Sequence, residues 1–130
     1  MAEADGEILG FAYCNWFKPR PAYRYSVEDS VYVAHDQSRK GLGKALLAEL
    51  LARLEAAGIR KVMAIIGDSA NQASVSVHAT LGFTPVGVVD SCGWKFGAWR
   101  DIVIMQKMLG SGATTPPSGL QPDFTSDQYP

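Results

Sequence analysis

The chain has 130 residues, of which 47% are hydrophobic and 19% charged, so it can bury a core and forms one domain at most. Its 12 Lys and Arg residues nearly balance its 13 Asp and Glu residues, and the net charge of −1 argues against a nucleic-acid partner. No apolar run approaches the ~18–20 residues of a membrane helix, and the acidic start MAEADGE is unlike a secretory leader. We therefore expect a cytoplasmic protein that binds neither nucleic acid nor a membrane.

Two strands flank an irregular segment in the first quarter of the chain. Residues 7–14 mix β-branched and aromatic side chains, which predicts a strand. The Asp-Gly turn before them indicates that the first ten residues, MAEADGEILG, contain the end of one strand and the start of the next. In residues 15–25, Pro19 and Pro21 exclude regular structure and predict an ordered loop rich in aromatic and cationic side chains. Apolar and polar residues then alternate with a period of two, which predicts a strand over residues 28–35.

A long helix follows from Gly41 onward. Apolar residues recur at steps of three and four, which predicts an amphipathic helix of about four turns. Gly58 is expected to end this helix in a left-handed conformation. The residues predicted to share its buried face are Leu42, Ala45, Leu46, Leu50, Leu54 and Ala57.

The remaining elements complete a mixed α/β pattern. Residues 61–66 form a short apolar run typical of a strand covered on both faces. A second helix is predicted over residues 73–81, with Asn71 or Ser69 as its N-cap and Gly82 at its end. Residues 84–90 and 99–109 are predicted strands joined by a loop over 91–98, and residues 110–130 are predicted to be a flexible tail after a domain spanning 1–109.

The motif Gly41-Leu42-Gly43 stands between the second strand and the long helix. Glycines there let backbone N–H groups approach a ligand, and the first turn of a helix attracts phosphate. Arg39, Lys40 and Lys44 add positive charge around it. A tight turn without a ligand explains the glycines equally well, and the spacing fits neither a P-loop nor a dinucleotide-binding fingerprint.

Taken together, these stretches resemble the GNAT superfamily of acetyl-CoA-dependent N-acetyltransferases, and within it the phosphinothricin and methionine sulfoximine acetyltransferases. The family's acetyl-CoA loop is Arg/Gln-x-x-Gly-x-Gly/Ala; the chain matches it at residues 38–43, with Ser38 in the first place. The other matching stretches are VEDSVYV, KALLAELL, NQASVSVHATLGF and SCGWKFGAWRDIVIMQ, so the resemblance covers about residues 2–109.

The resemblance implies a GNAT-like α/β fold. We expect a mixed, mostly antiparallel central sheet with a β-bulge strand and flanking helices. By comparison with the family, the chain lacks the first strand and the first two helices, so we expect a domain that is truncated at its N-terminus.

The resemblance also implies catalytic roles for two residues. It assigns the base to Glu28, which needs burial or a relaying water to accept a proton, and a solvated glutamate at a strand entrance is the alternative. It places His78 where the family has a residue proposed to protonate the departing thiolate. A packed or surface histidine on a helix remains the other interpretation.

Two further sets of residues follow from the resemblance. Acetyl-CoA would be bound by backbone groups of a splayed, bulged strand and of the glycine loop. Asn71 would add a further contact, although a plain N-cap explains that asparagine equally well. The loop before that strand would contact the amino-acid substrate, through an Arg fork at Arg20 or Arg24, unless it is simply a charged surface. The implied acetyl-CoA contacts are Val31, Tyr32, Val33, Arg39, Lys40, Gly41, Leu42, Gly43, Lys44 and Asn71, and the implied substrate contacts are Lys18, Pro19, Arg20, Glu28, Asp29 and Ser30.

Aromatic residues are dense on either side of this region. Trp16, Phe17, Tyr23 and Tyr25 would line an apolar slot for the substrate, or else belong to the core or a dimer contact. The same choice holds for Trp94, Phe96 and Trp99, in a loop that the family places near the active site and partly across a dimer.

On this resemblance we expect acetyl transfer from acetyl-CoA to the α-amino group of a small amino acid or analogue, such as methionine sulfoximine, methionine sulfone or phosphinothricin. We expect no metal, no covalent enzyme intermediate and a homodimer; Cys14 and Cys92 are too few and too far apart for a zinc site or a disulfide framework. Two alternatives stay open: a GNAT enzyme for another amine, such as a protein N-terminus or a polyamine, and a catalytically impaired fragment that binds acetyl-CoA or dimerises.

Overall fold

The computed structural model describes residues 2–4, 7–33, 41–67 and 72–117, which form one six-stranded sheet with two helices on one face. The strand order is β1-β2-β3-β4-β6-β5, and every neighbouring pair is antiparallel except β3 and β4. This mixed, mostly antiparallel sheet confirms the expected fold class. The elements are β1 (Ala2–Ala4), β2 (Glu7–Trp16), β3 (Ser26–Val33), α1 (Leu42–Ala56), β4 (Lys61–Gly67), α2 (Gln72–Thr80), β5 (Thr84–Lys95) and β6 (Ala98–Met108).

The helix α1 begins and ends near the predicted residues, but its buried face is rotated from the predicted one. Gly41 at its start and Gly58 after its end both have a positive φ, so the left-handed end predicted at Gly58 is confirmed. Its buried residues are Leu47, Leu51 and Leu54, of which only Leu54 was predicted. Leucines occur in adjacent pairs along this helix, and periodicity does not say which member of a pair faces the sheet.

The strand β4 is buried on one face, not on both. Val62, Ala64 and Ile66 are buried under the helices, whereas Met63 is half-buried and Ile65 is exposed. The reason is that both described helices lie on the same side of the sheet, so the short apolar run alternates after all. On the side away from the helices, the Phe11 ring stacks on Tyr32 at a centroid distance of 5.1 Å.

Strands β5 and β6 form one long hairpin, and the loop predicted over residues 91–98 is wrong. Strand pairing continues to Lys95 and Ala98, and only Phe96 and Gly97 form the turn, both with positive φ. The Trp94 and Trp99 rings, on opposing strands, meet edge to face at 5.4 Å. A cross-strand aromatic pair of this kind stabilises the end of a hairpin. The two glycines of residues 91–98 had suggested a loop there instead.

The first part of the predicted flexible tail is held against the domain. The Arg60 guanidinium donates hydrogen bonds to Gly112 O, Thr115 O, Thr115 Oγ1 and Pro116 O at 2.7–3.2 Å. Residues 110–117 therefore follow a defined path, because one half-buried guanidinium donates to several of their carbonyl oxygens. The rest of the predicted tail lies outside the described residues.

Two further observations concern the described part of the chain. None of its helices has the length and apolarity needed to cross a membrane. It also contains no group of three or more His, Cys, Asp or Glu side chains arranged to hold a metal ion, and Cys14 and Cys92 are free thiols.

Candidate active site

A cleft opens where β3 and β4 separate. The two strands pair only over Ser26–Glu28 and Lys61–Met63, and within the described residues no further pair joins them. Meanwhile β3 keeps an unbroken register with β2 as far as Val33, and β4 stays paired with β6 as far as Gly67. The splay expected of β3 is thus present as its divergence from β4, whereas its pairing with β2 shows no bulge over the described residues.

The cleft contains a cavity of about 200 Å³ with a polar wall. Because the strands diverge, the main-chain groups of β3 on this side are not used by a β4 ladder and are available to a ligand. The cavity is lined by Asp29, Ser30, Val31, Ile65, Ile66, Gly67, Ser74 and His78.

Glu28 is the last residue of β3 that pairs with β4, so it lies at the closed end of the cleft. Its neighbours Val27 and Asp29 are buried on the helix side, which puts the Glu28 side chain on the opposite face of the sheet, half-buried. The carboxylate is therefore beside the point of divergence and still within reach of water.

The first turn of α1 lies beyond the open end of the cleft. Gly41 is its N-cap in a left-handed conformation, with open space where a side chain would lie, and Leu42, Gly43 and Lys44 form the first turn. No side-chain cap and no acidic residue of the described chain occupies that turn, so its N–H groups and positive dipole end suit an anion. Glu28 and Val33 are about 17 Å apart along β3, so a ligand that reaches both ends must be long.

His78, on α2, faces Asp29 across the cleft wall. Its Nε2 lies 3.0 Å and 3.1 Å from the two carboxylate oxygens of Asp29, and its Nδ1 lies 2.8 Å from the Ser74 carbonyl oxygen. Asp29 is 6% exposed and His78 3% exposed. The Phe83 ring packs against the imidazole edge to face at 4.8 Å.

The surroundings of this pair change the pKa of two groups. Burial lowers the pKa of His78, but the hydrogen bond and the charge of Asp29, together with the Ser74 carbonyl, more than offset it and raise that pKa above 6.5. Cys14 stands directly opposite Asp29 on β2, and burial followed by the Asp29 charge raises the pKa of its thiol. Cys14 is therefore a protonated, packed thiol.

The predicted substrate loop lies at the closed end of the cleft. Backbone N–H groups of Arg60 and Lys61 both donate to Tyr25 O, which fixes the loop beside the start of β4. Within it, Pro21–Tyr23 form a short 3-10 turn, and the Lys18 ammonium lies 5.0 Å from the centre of the Tyr23 ring. Pro19 and Arg20 are exposed there.

Arg24 is less suited than Arg20 to a ligand. Its Nη1 donates to Pro21 O at 2.8 Å, and its guanidinium lies 4.8 Å from the centre of the Tyr25 ring. This holds Arg24 within the loop.

A second and larger cavity, of about 460 Å³, lies between the end of β4 and the tip of the β5–β6 hairpin. It shares Gly67 with the cleft and is lined mainly by hairpin residues, including Trp94, Lys95 and Phe96. Phe96 is 83% exposed at the turn. Volume alone does not make this the reaction centre, because His78 lines the cleft and not this cavity, while Glu28 lines neither.

The structure thus brings together Asp29, Ser30, Val31 and His78 along one cleft, and Tyr32 and Val33 continue β3 toward α1. Glu28 stands at the closed end of the cleft, with its side chain on the other face of the sheet. Sequence reasoning treated Asp29 and His78 separately and missed their contact. An Asp directly after the candidate base and a His in the second helix were the available signal, but 49 residues separate them. The predicted contacts Arg39, Lys40 and Asn71, and the alternative cap Ser69, lie outside the described residues.

Comparisons with known proteins agree on the family. The sequence model of the Acetyltransferase (GNAT) family matches residues 1–83. A phosphinothricin N-acetyltransferase of Alcaligenes faecalis is 49% identical over 117 residues, which are 90% of this chain and 59% of that protein. An L-methionine sulfoximine/L-methionine sulfone acetyltransferase of Pseudomonas aeruginosa is 41% identical over 88% of this chain and 66% of its own length.

A solved structure extends the agreement to the fold. The crystal structure of a GNAT superfamily phosphinothricin acetyltransferase from Sinorhizobium meliloti in complex with AcCoA matches with a TM-score of 0.87 and 41% identity. The match covers 95% of this chain and 68% of that one. The chain therefore spans about three-fifths to two-thirds of the length of these relatives.

Proposed function

Because this chain belongs to the GNAT acetyltransferase family, we propose that it transfers an acetyl group from acetyl-CoA to the α-amino group of a small amino acid or amino-acid analogue of the phosphinothricin or methionine sulfoximine type. The observation that carries the proposal is the cleft itself. It places a carboxylate, Glu28, at its closed end and a helix N-terminus at its open end.

The shape of acetyl-CoA suits this arrangement. Its pyrophosphate and its thioester are separated by an extended pantetheine arm, as a ligand spanning about 17 Å along β3 requires. Main-chain groups of Val31, Tyr32 and Val33 would hold the arm and the thioester oxygen, while Gly41, Leu42, Gly43 and Lys44 would bind the pyrophosphate. Arg39, Lys40 and Asn71 remain predicted contacts.

Glu28 serves as the base through a water molecule. An ammonium has no lone pair, so the amine must first give up a proton, which the relayed carboxylate accepts. The nitrogen then attacks the thioester carbon and forms the C–N bond, and the C–S bond breaks with its electrons on sulfur. The nitrogen loses a second proton and the thiolate gains one, so the products are the amide, the free thiol and one proton.

His78 is the residue proposed to give the thiolate its proton. It lines the cleft beyond Glu28 and faces an acceptor at both ring nitrogens. A histidine whose pKa is raised keeps its proton to a higher pH than an ordinary histidine and can pass it on.

The amino-acid substrate would enter at the closed end. Lys18 and Arg20 are exposed cations in the loop beside that end, and an α-carboxylate is recognised by such groups. Pro19, Ser30 and the backbone at Asp29 complete the proposed substrate contacts. A polyamine, which carries only positive charge, suits this loop less well.

The test is thiol release from acetyl-CoA with phosphinothricin, methionine sulfoximine, methionine sulfone and a panel that includes polyamines and a peptide N-terminus. Release with the amino-acid analogues, lost in Glu28→Gln, supports the proposal. Asp90→Asn, which removes an exposed carboxylate on β5, is the matched control. Release only with a polyamine or peptide, or none at all while acetyl-CoA binding is detected by calorimetry, overturns it in favour of the alternatives. Homodimer formation and a cytoplasmic location remain predictions.

A further inference from the structure

Both ring nitrogens of His78 face oxygen atoms that accept hydrogen bonds. The Ser74 carbonyl lies at Nδ1 and the two Asp29 carboxylate oxygens lie at Nε2, all within 3.1 Å. A neutral imidazole carries a proton on one nitrogen only, whereas an imidazolium donates from both. The geometry therefore matches the doubly protonated ring.

The His78–Asp29 pair is buried. With 3% and 6% of their surfaces exposed, His78 and Asp29 are not solvated, so an unpaired charge on either one would be strongly unfavourable. The Phe83 ring edge closes one side of the imidazole. In the resting state the two charges therefore occur as a pair.

Few other titratable groups lie around the pair among the described residues. On β2, Cys14 stands opposite Asp29 and is kept protonated by burial and by the Asp29 charge, which raise its pKa. On β6, the Lys107 ammonium approaches the end of α2 at Gly82. On β3, Glu28 points to the other face of the sheet. Asp29 is thus the carboxylate that contacts the ring.

We propose that Asp29 is a positioning residue, which holds His78 as an imidazolium with a fixed orientation at the wall of the cleft. This deepens the function proposed above and rests on it for the catalytic consequence. The proton that the leaving thiolate takes comes from Nε2, after which the ring keeps its Nδ1 proton on Ser74. Nε2 is then reprotonated by one of the two protons that the amine loses, so the pair returns to its starting state.

The first test needs no substrate. In ¹⁵N-labelled protein, the ring signals of His78 are followed by NMR across a pH titration, with the only other histidine, His35, removed by His35→Gln. We expect both ring nitrogens protonated above pH 6.5, the ordinary histidine value. In Asp29→Asn we expect a titration midpoint at lower pH and a neutral ring protonated on Nδ1. The control Asp90→Asn removes one negative charge from an exposed position and should leave the midpoint in place.

A wild-type ring that is neutral at pH 6.5, or a midpoint unchanged in Asp29→Asn, overturns the proposal. Should Asp29→Asn fail to fold, the wild-type titration alone still decides it.

The second test measures how the Asp29–His78 pair affects the reaction. In Asp29→Asn, the alkaline limb of the kcat profile should move to lower pH, while the KM for acetyl-CoA stays within error of the wild type. A uniform loss of rate at every pH would indicate a merely structural residue and contradict the proposal. If no amine is acetylated but the ring titration behaves as expected, the proposed function fails and the imidazolium assignment stands.

Discussion

Replacing Gly10 with alanine tests how closely β2 and α1 pack beneath the cleft. A Cβ at Gly10 would lie 2.6 Å from the Tyr32 carbonyl oxygen and 3.0 Å from Leu46 Cδ1. The oxygen belongs to the backbone of the neighbouring strand β3 and cannot rotate away, so the strands or the helix must move. Overpacking of this kind costs about 1–3 kcal/mol, or roughly 3–12 °C in Tm for a domain of this size.

The same movement should reach the cofactor site. Leu42 Cδ2 lies 3.4 Å from the same hypothetical Cβ, and Leu42 belongs to the first turn of α1. Pushing that turn outward displaces the N–H groups proposed to bind the pyrophosphate. Gly10→Ala should therefore weaken acetyl-CoA binding as well as lower the stability.

Gly87→Ala is the matched control, because a Cβ at Gly87 on β5 meets nothing within 4 Å and the residue has no left-handed φ. It should be neutral or stabilise by up to about 1 kcal/mol, since alanine loses less backbone entropy than glycine. Calorimetric unfolding measures the stability of both variants, and titration calorimetry measures the affinity for acetyl-CoA. Equal stability of the two variants would refute the packing argument.

Three further outcomes are expected. Glu28→Gln should lower kcat by about 10²–10⁴-fold with little change in the KM for acetyl-CoA, and an unchanged kcat in steady-state assays would remove Glu28 from the mechanism. The folded-state pKa of His78 lies above 6.5, so its pair with Asp29 stabilises the fold fully below that pH. This contribution is lost as the pH rises through the folded-state pKa. Urea unfolding at several pH values should show a falling free energy of unfolding, and Asp29→Asn should remove that pH dependence. Arg60→Ala should speed amide hydrogen exchange over residues 110–117 and lower the free energy of unfolding by about 1 kcal/mol. The control Arg53→Ala breaks only an exposed pair with Glu49 and should lower it by at most about 0.5 kcal/mol. Equal exchange in both variants would show that Arg60 does not hold the segment.

Local rules were enough to predict much of the molecule. The order of strands and helices, the start of α1 at Gly41 and its end at Gly58 all follow from periodicity and from glycine's access to positive φ, which act over a few residues. The motif around Gly41 was a weak signal by itself, and the resemblance to the family rested on several matching stretches in the same order; the comparisons confirm that family.

Other features depended on contacts between residues far apart in the chain. The position of the sheet decides which leucines of α1 are buried. Strand pairing in the β5–β6 hairpin continues through the predicted loop, where Trp94 and Trp99 contact each other across the two strands. The contact of Asp29 with His78 joins β3 to α2 across 49 residues of the chain, so no local pattern predicts it. Periodicity reports which face of one element is apolar, but the partner of a buried charge is set by how separate elements pack, and only the tertiary structure decides that.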